Sequence, residues 1–118
     1  MRPACVPDTL ACAAAAWAAI AAGGCAGHVA PSWEDPTPEA RIGAIERSAR
    51  SGDARRDAVR LVENLASDDA AVRMAAIAAL ERATGSTLGY RFDDSPADRA
   101  SSVARWRAWL AAYAGAAR

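Results

Sequence analysis

The stretch DDAAVRMAAIAALERATG, residues 68–85, decides the fold class of this chain. It opens with two acids, either of which can cap a helix, and it ends at a glycine, which suits the left-handed residue that follows a helix. The apolar residues between these ends recur at helical spacing. They are Val72, Ala76, Ala79, Leu80 and Ala83. The stretch therefore predicts an amphipathic helix that is capped by Asp68 or Asp69 and ends at Thr84.

Two more helices are predicted before this stretch. Thr37 and the proline after it form a start signal for a helix that runs to about Arg50 and stops at Gly52. Asp53 can cap the next helix, which we expect to run to about Ala66. The apolar stripe of this second helix consists of Ala58, Leu61, Val62, Leu65 and Ala66.

The first predicted helix is similar to the third when the sequence is laid over itself with an offset of 32 residues. The matched positions are Arg41 with Arg73, Ile42 with Met74, Ala44 with Ala76, Ile45 with Ile77, and Arg50 with Arg82. A self-similarity of this period is typical of helical solenoids.

The stretch DAVRLVENLASDDAAVRMAAIAALERATG, residues 57–85, resembles a HEAT repeat, in which an apolar helix and an acidic turn precede an alanine-rich second helix that opens with Val-Arg. The resemblance implies that Arg73 pairs with acids of neighbouring turns, such as Asp68, Asp69 or the cap of the next helix. It also implies that residues 38–52 are the second helix of the preceding unit. The signature residues of the repeat are Asp69, Val72, Arg73, Ala76 and Leu80, with Leu61, Leu65 and Ala79 also matching.

The C-terminal part of the chain has to supply the surface that one and a half repeats lack, because about three repeats are normally needed for a stable stack. Its loop alternates Leu88, Tyr90 and Phe92, which favours an extended piece held against the core. Ser95 and Pro96 then open a last helix with a pattern close to a capping box. One face of that helix carries Val103, Trp106, Leu110 and Tyr113, and the exposed face carries Arg99, Arg105 and Arg107.

Two interpretations of the C-terminal aromatic residues stay open. In the first, they seal the open end of the helical stack. In the second, Arg105, Trp106 and Trp109 form a partner surface, because Trp, Tyr and Arg dominate interface hot spots. The arrangement resembles the ends of small HEAT-repeat proteins of bacteria through Thr84, Gly85, Gly89, Tyr90, Arg99, Val103, Arg105, Trp106 and Trp109. The resemblances imply an all-α fold, a short right-handed α-solenoid of about two HEAT-like hairpins closed by an aromatic C-terminal helix.

The first residues are unlike the rest of the chain. Residues 10–22 form an uncharged, alanine-rich run that is shorter than the roughly 20 residues of a membrane-spanning helix and typical of the apolar part of a signal peptide. The run ends in Ala-Gly-Gly-Cys, which resembles the lipobox of bacterial lipoproteins. The resemblance implies a signal peptide over residues 1–24 and a lipid on Cys25, which anchors the chain in a membrane. Ordinary secretion and an N-terminal extension without a targeting role are the alternatives.

The composition of the chain also predicts where the tether and the helical domain begin and end. Residues 25–36 contain one Gly and two Pro and show little periodicity, which predicts a flexible tether in which Trp33 either packs back on the domain or stays exposed. Residues 37–115 form the predicted HEAT-repeat-like helical domain. Cys5 and Cys12 lie in the segment that would be removed, so Cys25 would be the single cysteine of the mature chain.

The charges and polar residues of the chain favour a binding protein over an enzyme. The 14 basic and 14 acidic residues balance, which argues against nucleic acid as a partner. Cys25 and His28 alone do not make a zinc site, and we expect no metal and no cofactor. The acid pairs 68–69 and 93–94 lie where helices begin, where acids are electrostatically favoured, so we expect no catalytic residue among them.

The function expected from these features is a non-enzymatic HEAT-repeat protein–protein interaction module, held as a lipid-anchored protein in the bacterial cell envelope or periplasm. One alternative is a structural accessory protein that forms a homo-oligomer through its open N-terminal face. Another is a cytoplasmic HEAT-like adaptor, if the N-terminus is not a signal. The identity of the protein partner is not encoded in any motif of the chain.

Overall fold

Four α-helices make up the described part of the chain, which in this computed structural model is residues 27–116. They are α1 (Pro38–Ser51), α2 (Ala58–Asn64), α3 (Ala70–Thr84) and α4 (Pro96–Ala116). No β-strand occurs within these residues, so the all-α class is confirmed. The signal peptide over residues 1–24 and the lipidation of Cys25 lie outside the described residues and stay predictions.

Helix α1 begins and ends where the sequence predicts. Its N-cap is Thr37 and it ends at Gly52, whose φ of 78° is the left-handed conformation that glycine adopts without strain. The Thr37 hydroxyl, however, makes no capping hydrogen bond. Its backbone N–H instead donates to Oδ1 of Asp35 at 2.8 Å, so the preceding segment holds the start of the helix.

Helix α2 is shorter than predicted, because it starts after Asp57 and not after Asp53. The Asp53 carboxylate accepts a hydrogen bond from Oγ of Ser51 at 2.7 Å and pairs with Arg56 at 3.0 Å, both through Oδ2. Residues 54–57 form a turn that buries Ala54 in the core. The predicted span of the second helix therefore contains a turn followed by a seven-residue helix.

Helix α3 confirms the prediction made from residues 68–85. The Asp69 side chain accepts from the backbone N–H of Val72 at 3.0 Å, and the helix ends at Gly85 with a φ of 78°. Four of the five stripe residues are buried, and Ala83 is half-buried.

The helices are arranged in two pairs. Helix α1 packs against α3, and α2 packs against both α3 and α4, so the α2–α3 contact joins the pairs. Among the largest fully buried side chains, Ile45 comes from α1, Val72 and Leu80 from α3, and Trp106 from α4. The core therefore draws on all four helices, since Leu61 of α2 is also fully buried.

Part of the predicted flexible tether is packed on the domain. The ring of Pro31 lies 3.1 Å from where a Cβ of Gly43 would be, so the glycine lets this segment approach α1 closely. Trp33 packs against the core, and the guanidinium of Arg60 lies 5.7 Å from its ring centroid. Residues 31–36 therefore belong to the folded domain, and the tether predicted over 25–36 is too long at its C-terminal end.

The loop between α3 and α4 is held against the core but is not extended. Tyr90 is buried, and its backbone N–H donates to the Thr87 carbonyl at 3.0 Å in a tight turn. The two residues inside this turn, Leu88 and Gly89, have φ values of 50° and 76°. A strand cannot contain two successive residues with positive φ, which is why the alternating apolar residues of the loop do not form one.

Candidate functional site

Arg73, the central residue of the repeat signature, is a buried structural residue that binds carbonyl groups. It is 8% exposed. Its Nη1 donates to the carbonyls of Ser67 and Asp68, at 2.8 Å each, and its Nε donates to the carbonyl of Phe92 at 3.1 Å. Within residues 27–116 no carboxylate lies in ion-pair range of this guanidinium, so the predicted ion pair is wrong. The planar group offers five donors in fixed directions, which suits three separate carbonyl acceptors.

The other signature residues also hold the fold together. Asp69 caps α3, and Val72, Ala76 and Leu80 are buried on the face that α3 turns to the core. The contacts observed for these residues are structural ones within the fold.

Trp106 is the centre of the C-terminal packing and not part of a partner surface. It is 0% exposed, and its indole N–H donates to the carbonyl of Thr87 at 2.9 Å. A side chain without accessible surface cannot contact a partner, so the structure corrects this part of the predicted surface. The burial of the large ring supplies apolar area that the alanine-rich helices lack.

Trp109 and Arg105 remain at the surface of α4. Trp109 is half-buried, in an edge-to-face contact with Trp106 at 5.4 Å and stacked on Tyr113 at 5.1 Å between ring centroids. Arg105 is exposed, yet its Nε donates to the carbonyl of Leu88 at 2.8 Å and its Nη2 to Oγ of Ser102 at 2.7 Å. Two of the five N–H donors of Arg105 are therefore engaged by its own chain.

The acid pairs are engaged in local contacts. In the first pair, Asp68 is exposed and Asp69 caps α3. In the second, Asp93 and Asp94 both lie within ion-pair distance of Arg91, at 3.3 and 3.5 Å. The hydrogen bond from Arg91 lowers the pKa of Asp93, and the same contact raises the pKa of Arg91. His28 is exposed and far along the chain from both pairs.

A groove with a volume of about 570 Å³ lies between α1 and α3. Its floor on the α3 side consists of the alanines at positions 71, 75, 78 and 79 together with Met74, which is 50% exposed. Ile42 and Ala49 line it from α1. We call this surface the α1–α3 groove.

Charged residues border the α1–α3 groove near the C-terminal ends of the two helices. Arg50 pairs with Glu46 on α1, with 3.5 Å between Nη1 and Oε2. Arg82 of α3 also borders the groove and, within residues 27–116, has no carboxylate in ion-pair range. The rim therefore carries two arginines and one glutamate.

This groove was not predicted from the sequence, although the internal self-similarity contains a signal for it. The offset of 32 residues aligns Ile42 with Met74, and both residues line the groove. A large apolar residue that recurs at an outward position of two equivalent helices indicates a shared exposed face. Arg50 and Arg82, which the offset also aligns, mark the same end of that face.

Comparisons of the chain with protein-family models, with curated proteins and with solved structures give no match. In the described part of the chain, no helix has the length and apolar character needed to cross a membrane. Any functional inference therefore rests on the geometry of residues 27–116 and on the sequence patterns.

Proposed function

We propose that the chain is a non-enzymatic protein–protein interaction module, built as a short right-handed HEAT-like α-solenoid. The pairing of the helices supports this architecture, because α1 and α3 lie side by side, as expected for the second helices of consecutive hairpins. Helices α2 and α4 would be the first helices of their hairpins, and they also contact each other.

Exposed apolar surface in the α1–α3 groove is the observation that carries the binding function. The side of α3 turned to solvent presents alanines and Met74 over two turns, from residue 71 to residue 78, before the first charged residue, Glu81. Helix faces directed at water normally carry polar and charged residues. Contiguous apolar surface rimmed by charged groups marks interaction sites on soluble domains.

Both ends of the helical stack are covered by the chain itself, which favours binding of a partner over self-association. Trp33 and its neighbours cover the side of α1 and α2, where Arg60 pairs with Glu34 at 3.7 Å. At the other end, α4 packs on α2, and the turn around Tyr90 packs on the core. The indole N–H of Trp106 joins α4 to this turn through the carbonyl of Thr87. Terminal caps of this kind replace the missing neighbours of a repeat array.

The second candidate function is a structural accessory that completes its stack by dimerisation. A measurement of molar mass distinguishes it from the interaction module. Light scattering over a wide concentration range should give the mass of a single chain throughout. A mass that rises to two chains would favour the second candidate and would contradict the interaction module as proposed.

The non-enzymatic part of the proposal draws support from the contacts of the acid pairs, since capping and pairing with Arg91 account for three of the four carboxylates. An activity that is lost on replacing His28 or either acid pair would overturn it.

We further propose that the domain is held at a bacterial envelope membrane through a lipid on Cys25, with residues 25–30 as the remaining tether. The small residues before this cysteine and the apolar run of residues 10–22 support the proposal. Intact mass of the protein from the membrane fraction, beside a Cys25→Ser control, tests it. A mature chain that starts at Cys25 and carries lipid is expected. A full-length, unmodified mass in the soluble fraction would instead favour the cytoplasmic adaptor.

A further inference from the structure

We propose that the α1–α3 groove binds an amphipathic helix of a partner protein, which lays a small-residue apolar face on the groove and places a carboxylate against Arg82. This inference rests on the proposed binding function and specifies the chemistry of the partner.

The shape of the groove fits a helix. Because alanines form most of its floor, the axis of a docked helix can approach α3 to the 8–10 Å typical of helix packing. Met74 stands in this floor with half of its surface exposed, and a methionine side chain adapts to the surface that it meets. The α3 side of the groove, from Ala71 in the floor to Arg82 on the rim, spans about 16 Å, or three turns, at 1.5 Å per residue. The occupant is therefore a helix of at least three turns.

The charge at the end of the groove selects the partner. The C-terminal dipoles of α1 and α3 favour cations at Arg50 and Arg82, which explains why arginines are placed there. Glu46 pairs with Arg50, whereas Arg82 has no carboxylate in ion-pair range within residues 27–116. An acidic side chain on the partner helix would complete this rim and set the direction in which the helix lies.

The same charges argue against a second copy of the chain as the occupant. Each copy would bring two arginines and one glutamate to the contact. Two copies would then bury an excess of positive charge in one interface, which is unfavourable. A partner of acidic character removes this excess.

A displayed library of amphipathic helices tests the proposal. The library consists of four-turn helices with Ala, Ser, Leu or Met on one face and with Glu, Gln or Lys at three terminal positions. It is selected against the full chain. We expect Glu to be enriched over Lys at one terminal position by about fivefold, the size of a surface charge pair of roughly 1 kcal/mol.

Variants of the domain show whether the selected helices occupy the groove. Met74→Arg, a change at a half-exposed position that should leave the fold intact by circular dichroism, is expected to weaken binding about tenfold. Arg82→Glu should reverse the preference from Glu to Lys. Arg107→Glu, on the exposed face of α4, should change neither the strength of binding nor this preference.

Enrichment that is the same on wild type and on Met74→Arg would overturn the inference, as would a preference for Glu that survives Arg82→Glu. Failure to enrich any helix would overturn it too. In each case the proposed function survives if a cellular partner is found on another face of the domain, and it fails if no partner contacts any face.

Discussion

The guanidinium of Arg73 donates through Nε to the backbone carbonyl of Phe92 at 3.1 Å and so ties α3 to the loop that leads into α4. Through Nη1 the same group donates to the carbonyls of Ser67 and Asp68 in the turn between α2 and α3. One side chain thereby joins α3 both to the turn that precedes it and to the loop that follows it. Arg73 is thus a structural crosslink within the chain.

Arg73→Lys should destabilise the domain by about 1–3 kcal/mol, because a single ammonium cannot reach all three carbonyls and at least one of these part-buried hydrogen bonds is lost. Urea unfolding followed by circular dichroism measures the change. Arg82→Lys, at an exposed position of the same helix, is the matched control and should stay within about 0.5 kcal/mol of wild type. Equal effects of the two changes would contradict the role assigned to Arg73.

Tyr90→Phe should cost about 1 kcal/mol at neutral pH, because it removes the hydrogen bond from the hydroxyl to the carbonyl of Leu65 at 2.6 Å. Burial raises the pKa of Tyr90 above its ordinary value of 10.0, although the charges of Arg73 and Arg99 oppose the shift. The stabilisation is therefore fully present below pH 10 and is lost as the pH rises through the raised pKa of the folded state.

Unfolding free energies measured between pH 8 and pH 11 test the sign of this effect. Wild type should lose stability above about pH 10, and Tyr90→Phe should lose less. Tyr113→Phe, which removes a hydroxyl on a residue that is 39% exposed, should behave like wild type. An alkaline loss that persists unchanged in Tyr90→Phe would contradict the assignment.

Gly89→Ala should destabilise the domain by about 1–2 kcal/mol, since the residue has a φ of 76°. The new Cβ would lie 3.0 Å from Nη2 of Arg105, so it would also disturb the contact between that side chain and the turn. Gly115→Ala is the opposite control, because this glycine lies in α4 with open space around it. It should be neutral or stabilising by up to about 1 kcal/mol in thermal unfolding. If Gly89→Ala and Gly115→Ala changed the free energy of unfolding in the same direction, the role given to Gly89 in the turn would be refuted.

Trp106→Ala should cost about 3–5 kcal/mol, the range for removing a large buried ring, and the variant is expected to unfold at low denaturant concentration. Trp109→Ala should cost less, because this ring is half-buried at the surface of α4. Comparing urea midpoints of the two variants separates the residue that builds the core from the residue that remains a candidate contact. A larger loss for Trp109→Ala would reverse the two roles.

Local signals were sufficient to predict most helix boundaries. The glycines at 52 and 85 end α1 and α3, and Asp69 caps α3, because each of these effects depends on neighbouring residues alone. Ser95 likewise accepts from the backbone N–H of Asp98 at 3.2 Å, as the capping pattern predicts. The prediction of Asp53 as a cap was wrong, because residues 54–57 form a turn and the helix starts only after Asp57.

Side-chain partners across the fold could not be predicted in this way. The resemblance implied that Arg73 pairs with neighbouring acids, whereas its acceptors are backbone carbonyls, one of them nineteen residues away at Phe92. Trp106 was placed on a candidate surface from its residue type, and only the position of the loop that carries Thr87 shows that it is buried. The groove was missed for the same reason, since it depends on how α1 and α3 lie against each other.

The central claim, that this domain acts by binding another protein through the α1–α3 groove, is tested most directly by site-specific photo-crosslinking in the cells that encode the chain. A photoreactive phenylalanine analogue replaces Met74 in the groove, Val59 on α2 or Tyr113 on α4, three exposed positions on different helices. We expect an adduct with a second, different protein from position 74, several times less of it when Arg82→Glu is added, and none from position 59. An adduct from position 59 or 113 alone, an adduct only between two copies of the chain, or no adduct at all would contradict it.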